Sequence, residues 1–85
     1  MMNYDRLMAN NPTQYDEMIN SLGQKIVFYE HPFKGDEFPV ICVNHDLKLA
    51  AASTFYDLDD MTAEHKEYEP SFKNGKFYIG DSEEK

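Results

Sequence analysis

Asn74-Gly75 constrains this chain more than any other pair of residues in it. The pair separates 67–73 from 76–80, two short runs that between them carry Tyr68, Phe72, Phe77, Tyr78 and Ile79. Asn-Gly readily supplies the two positive φ angles of a type I′ turn, so the spacing predicts a β-hairpin close to the C-terminus. The whole sequence is 85 residues long, which leaves room for one small hydrophobic core and no second domain. The expected organisation is a single globular unit over residues 1–85.

Upstream, the hydrophobic spacing changes twice. Tyr4, Leu7, Met8, Tyr15, Met18, Ile19 and Leu22 recur at helical intervals, with Asn10-Asn11-Pro12 as an interruption. Proline disfavours helical geometry in the residue before it. Asn11 then reads as an N-cap, with Pro12 at the first helical position and Gly23 at a left-handed C-cap. These signals predict a short helical turn over 3–9 and a helix over 12–22. From Lys25 on, Ile26-Val27-Phe28-Tyr29 is β-branched and aromatic and predicts a strand. Residues 32–39 form a loop between Pro32 and Pro39, and 39–43 a second strand. Asn44-His45-Asp46 is a turn signal. Residues 47–54 fit either a strand with small residues under the helix or a short helix on Ala50-Ala51-Ala52; the hairpin-like connection before them favours the strand. Asp57 or Asp59 can cap a helical turn in the polar stretch 57–66, and 81–85 reads as a frayed charged tail.

The expected fold class is therefore α+β: one or two N-terminal helices packed on an antiparallel meander of four to five strands, with the other sheet face partly solvated. Hydrophobic residues make up 41% of the chain and charged residues 28%, as in globular rather than disordered proteins. The single cysteine, Cys42, excludes an internal disulfide framework and points to a reducing, cytoplasmic setting. Residues 1–8 lack the apolar region of a signal peptide. The longest apolar run, Val40-Ile41-Cys42-Val43, is far short of the ~20 residues of a membrane helix. We expect a soluble cytoplasmic protein.

The feature that points to a partner is charge. Asp57, Asp59, Asp60, Glu64, Glu67 and Glu69 place six carboxylates within thirteen residues, against Lys66 alone, in a chain of net charge −8. Such a patch repels nucleic acid and anionic membrane and attracts Arg/Lys-rich surfaces. Alternate strand residues lie ~6.6–6.8 Å apart on one face, and DNA carries a phosphate every ~3.4 Å along each strand. A row of these acids therefore approaches the charge spacing of a nucleic acid, and would dock where a protein normally holds one. The same carboxylates also serve solubility. In size and composition the chain resembles small phage proteins that block host-defence nucleases, although no motif identifies a family.

The second candidate surface lies within 31–39. Phe33 and Phe38 offer apolar anchors, Asp36 and Glu37 offer charged partners for Arg or Lys, and the prolines limit the entropy lost on docking. Tyr56, Tyr68 and Tyr78 extend such a surface, because tyrosine tolerates partial solvation.

Dedicated chemistry has little support. An EF-hand loop needs glycine at its sixth position, where Thr62 stands. Cys42 and His45 have a permissive Cys-x-x-His spacing, but His31 and His65 are scattered, so no cofactor or metal is expected. Cys42 lies in an apolar run of an acidic chain, unlike an activated nucleophile. No glycine-rich phosphate loop or serine elbow occurs. The expectation is a non-enzymatic interaction module that inhibits a nucleic-acid-handling protein, making no direct contact with nucleic acid or membrane. Its alternatives are an accessory subunit docking through the aromatic loop and sheet, or a small-ligand binder using Tyr29, Tyr56 or His31. An uncovered aromatic sheet face leaves a homodimer open.

Overall fold

In the computed structural model, the residues described are 2–30, 40–53, 68–80 and 82–84. The chain begins with a short helix, α1 (Tyr4–Ala9). Asn3 caps it: Oδ1 accepts the Arg6 N–H at 2.9 Å, and Asp5 sits in the first turn, where the helix dipole favours an acid. The boundary read at Asn11-Pro12 exists, but it closes α1 instead of opening a second helix. Asn11 adopts a left-handed φ of 49°, and the chain then extends into a strand.

That strand, β1 (Gln14–Ile19), replaces the helix expected over 12–22. The helical spacing misled because three of its four members in this region bury little: Tyr15, Ile19 and Leu22 are 48%, 64% and 53% exposed. Met18 alone of the four packs against a core cluster. Gly23 is likewise not a helix cap. Its N–H donates to Asn20 O at 3.0 Å, Asn20 N–H donates to Gln24 O at 3.0 Å, and Gly23 takes φ 78°. This is a three-residue hairpin loop with a left-handed glycine, a geometry in which Gly is the least strained residue.

β1 pairs with β2 (Lys25–Glu30), β2 with β3 (Val40–Asn44), and β3 with β4 (Leu49–Ser53), all antiparallel, giving the order β1-β2-β3-β4. The strand reading of 47–54 therefore holds, and Ala50 and Ala52 do pack with Leu7 of α1. The β3–β4 turn covers 45–48, with the Leu47 N–H donating to Asn44 Oδ1 at 3.0 Å. The predicted C-terminal hairpin is β5 (Pro70–Lys73) and β6 (Lys76–Ile79), with Asn74 at φ 54° and Gly75 at φ 77°. Residues of the expected frayed tail instead add a third strand, β7 (Ser82–Glu84), antiparallel to β6.

The first sheet lies between two layers. On one side, α1 and Met2 cover Val27, Tyr29, Ile41, Val43 and Ala50. On the other, Phe72, Phe77 and Ile79 of the second sheet pack with Ile26, Phe28, Val40, Cys42 and Ala51. The α+β class stands, with one short helix and two sheets among the described residues. The expectation of a solvated second face does not, because the C-terminal strands leave the meander and cover that face. This is why all five residues of β3 are buried.

A polar knot joins the sheets. Ladder bonds alternate along a hairpin, so Phe72 turns its N–H and C=O away from β6. Gln24 takes both: Phe72 N–H donates to Oε1 at 3.2 Å, and Nε2 donates to Phe72 O at 2.8 Å. Buried Asn20 donates from Nδ2 to Gln24 Oε1 at 2.9 Å and to Pro70 O at 3.0 Å. Asn20 Oδ1 accepts the N–H groups of Leu22 and Gln24, both at 3.0 Å. Two side chains thus complete the outer edge of β5, where Pro70 has no N–H to satisfy.

Candidate functional site

Most of the residues singled out as partner-binding lie outside the described residues: Asp57, Asp59, Asp60, Glu64 and Glu67, and the loop residues Phe33, Asp36, Glu37 and Phe38. The helical turn read within 57–66 lies there too. What the structure does place is where these segments attach. Register sets Glu30 against Val40, and Val40 against Ser53. Segment 31–39 therefore leaves and rejoins the first sheet beside the point where segment 54–67 departs. The latter ends at Tyr68 and Glu69, which lie by the β1–β2 turn at the opposite end of the strands.

Glu69 is held there by Ser21. The Ser21 N–H donates to both carboxylate oxygens, at 3.1 and 3.0 Å, and the hydroxyl donates to Oε1. Gly80 N–H donates to Glu69 O at 2.9 Å. Glu69, one of the acids singled out for partner binding, ties the start of the second sheet to the β1–β2 turn. Tyr68 is 46% exposed and lies beside Gly80, whose missing side chain would come within 3.7 Å of the Tyr68 ring. Tyr78 lies half-buried in β6, with the Lys73 ammonium 5.3 Å from its ring centre.

A three-residue cluster has no local sequence signal. His45, read only as a turn residue, has both ring nitrogens engaged: Tyr4 Oη lies 2.5 Å from Nδ1 and Tyr29 Oη 2.8 Å from Nε2. Both tyrosine rings meet the imidazole edge-on. A neutral imidazole carries one N–H, so one phenol donates to the bare nitrogen while the other accepts from the protonated one. Burial raises the pKa of Tyr29, reinforced by Tyr4 and Glu17 and opposed by Lys25. The cluster fastens α1 to β2 and to the β3–β4 turn. It also engages the Tyr29 hydroxyl. Its members stand 41 and 16 positions apart in sequence, so only the fold assembles them.

Cys42 and His45 do not form a pair, because Cys42 packs in the core between the sheets while His45 lies on the α1 side. Burial pushes the Cys42 thiol far up, so it stays protonated. Among the described residues no three His, Cys, Asp or Glu side chains gather as metal ligands, and no helix is long and apolar enough to cross a membrane. Comparison with known protein families, curated proteins and solved structures finds no match to this chain.

Proposed function

We propose that the protein is a small acidic interaction module of the cytoplasm that binds the Arg/Lys-rich surface of a nucleic-acid-handling protein and inhibits it by taking the nucleic acid's place. The observation that carries this reading is the concentration of charge. Asp57, Asp59, Asp60, Glu64 and Glu67, set against Lys66, contribute half of the net charge of −8. They fall in one segment that begins after Ser53, at one end of the first sheet, and runs on to Glu69, beside the β1–β2 turn at the other end. Charge concentrated in this way raises encounter rates with a basic surface and rejects acidic competitors. The reading assigns no catalytic step to the chain.

Glu69 is excluded from the test because of its tie to Ser21. The informative variant combines Asp57→Asn, Asp59→Asn, Asp60→Asn, Glu64→Gln and Glu67→Gln, which moves the net charge from −8 to −3. Immobilised wild-type protein should capture nucleic-acid-binding proteins from cell extract at low salt, and lose them to rising salt and to added DNA. The five-fold variant should capture none of them while unfolding at the same urea concentration. Capture that survives both neutralisation and DNA competition overturns the proposal.

A further inference from the structure

The chain has six asparagines, and the fold leaves one of them in a different position from the rest. Asn3 Oδ1 accepts the Arg6 N–H, and Asn10 Nδ2 donates to Arg6 O. Asn44 and Asn20 are buried. The first accepts the Leu47 N–H, and the second is engaged through both of its side-chain heteroatoms. Asn11 precedes Pro12, which has no N–H. Asn74 is exposed, and its side chain meets no hydrogen-bond partner among the described residues. The N–H of Gly75 after it is likewise unclaimed among them, and nothing lies within 4 Å of where a Gly75 side chain would stand.

An asparagine loses its carboxamide without any enzyme when the next residue's amide nitrogen reaches its Cγ. That nitrogen gives its proton to hydroxide and bonds to Cγ, and the tetrahedral adduct expels the side-chain nitrogen as ammonia. Water then opens the resulting five-membered succinimide. Attack at Cγ breaks the new bond and leaves aspartate. Attack at the backbone carbonyl breaks the original peptide bond and leaves isoaspartate, whose chain runs through Cβ. The balance is one water consumed and one ammonia released, with no change of oxidation state.

Ring closure needs Cβ of Asn74 and the Gly75 nitrogen eclipsed about the Cα–C bond, which is a ψ of about −120°. The resting turn has φ 54° at Asn74 and 77° at Gly75. This is type I′, whose first ψ of about +30° turns the nitrogen to the far side of Cβ. Type II′ has a ψ of about −120° at that position and differs by a flip of the single peptide plane between the two residues. The flip takes φ of Gly75 to about −80°, and glycine accepts either sign. Both turns close a two-residue hairpin, so Lys73 and Lys76 stay paired while the reactive geometry is reached. The two lysines also bring positive charge near the nitrogen, which favours its anion.

We propose that Asn74 is a site of spontaneous deamidation in the folded protein, reached by a type II′ flip of its turn without unfolding of the hairpin. The two products differ in consequence. Aspartate keeps the turn, because Asp-Gly suits type I′. Isoaspartate inserts one more backbone atom into a two-residue loop and disturbs the register that carries Phe72 and Phe77 over the first sheet.

The test holds full-length protein in mildly alkaline buffer and maps amide-to-acid conversion by digestion and mass spectrometry. A synthetic peptide of residues 71–79 serves as the unstructured reference. Residue 74 should convert before any other asparagine. Type II′ puts Asn74 in backbone space that favours glycine, so its rate should lie about ten- to a hundredfold below the peptide's. Rising urea below the midpoint multiplies the unfolded fraction, and the rate at Asn74 should stay flat across that range. Asn74→Asp should share the wild-type urea midpoint, whereas the aged isoaspartyl form should unfold at lower urea. A rate that climbs in step with the unfolded fraction overturns the folded route. So does prior conversion of another asparagine, or an intact Asn74 after about a hundred peptide half-lives. An isoaspartyl form with the wild-type midpoint overturns the structural consequence.

Discussion

β1 and β3 belong to one sheet and are both rich in apolar residues, yet they meet opposite fates. β3 is buried at all five positions, whereas β1 leaves four of its six exposed. The difference is a matter of cover. β3 has α1 above it and the second sheet below it. β1 meets the core through Met18, while Tyr15 and Ile19 are 48% and 64% exposed. Hydrophobicity thus marks which residues can be buried, while the number of layers packed over a strand decides which ones are.

The sharpest way to break this comparison is to truncate one residue from each kind of position. Phe28, fully buried between the sheets, should cost about 3–5 kcal/mol as Phe28→Ala. Ile19→Ala should cost about 0.5 kcal/mol or less. Urea unfolding of both variants checks this, and comparable costs would mean that β1 is covered after all. The next largest effect tests the seal on the second sheet. Gln24→Ala leaves the outward N–H and C=O of Phe72 without their partner and should cost about 1–3 kcal/mol. Gln24→Glu, which keeps the acceptor but cannot donate to Phe72 O, should fail to restore it.

The smallest effect separates core from surface by pH. Cys42 is held protonated in the fold, while in the unfolded chain it ionises near its ordinary value of 9.0. A raised folded pKa contributes stability that is fully present below the unfolded pKa and is lost as pH rises beyond it. Wild type should therefore lose about 1.4 kcal/mol between pH 8 and 10 that Cys42→Val does not lose. Urea midpoints of both proteins at the two pH values measure the difference. Equal losses would place the thiol in contact with solvent.

Much of the strand pattern was legible. Asn74-Gly75 announces its hairpin because a left-handed requirement at two consecutive positions leaves few residues to choose from. The Ile26–Tyr29 run and the small residues at 50–52 also behave as read, because β-branched, aromatic and small side chains suit a packed pleat. The misreading of 12–22 came from three apolar residues whose intervals match a helix but whose side chains end on the surface of a strand and its turn. An Asn-x-x-Gly loop opens and closes two hairpin partners there, and Gly23 served the helical reading equally well. Of the candidate site, the charge of 57–67 is a property of composition and needed no fold to be seen. Glu69 looked like its neighbours in that run, and only its position beside Ser21 separates it from them.

The amino-acid sequence by itself determined the turn at Asn74-Gly75, the end of α1 before Pro12, the strand character of 26–29 and the concentration of negative charge. Each follows from local backbone sterics or from a count of ionised groups, neither of which depends on distant neighbours. Tertiary structure alone decided that the C-terminal strands fold over the first sheet, that Gln24 completes the edge of β5, that His45 lies between Tyr4 and Tyr29, and that Ile19 of β1 stays exposed. Those outcomes depend on which surfaces meet. Burial and hydrogen-bond satisfaction are settled jointly by residues dozens of positions apart, and no local pattern records that choice.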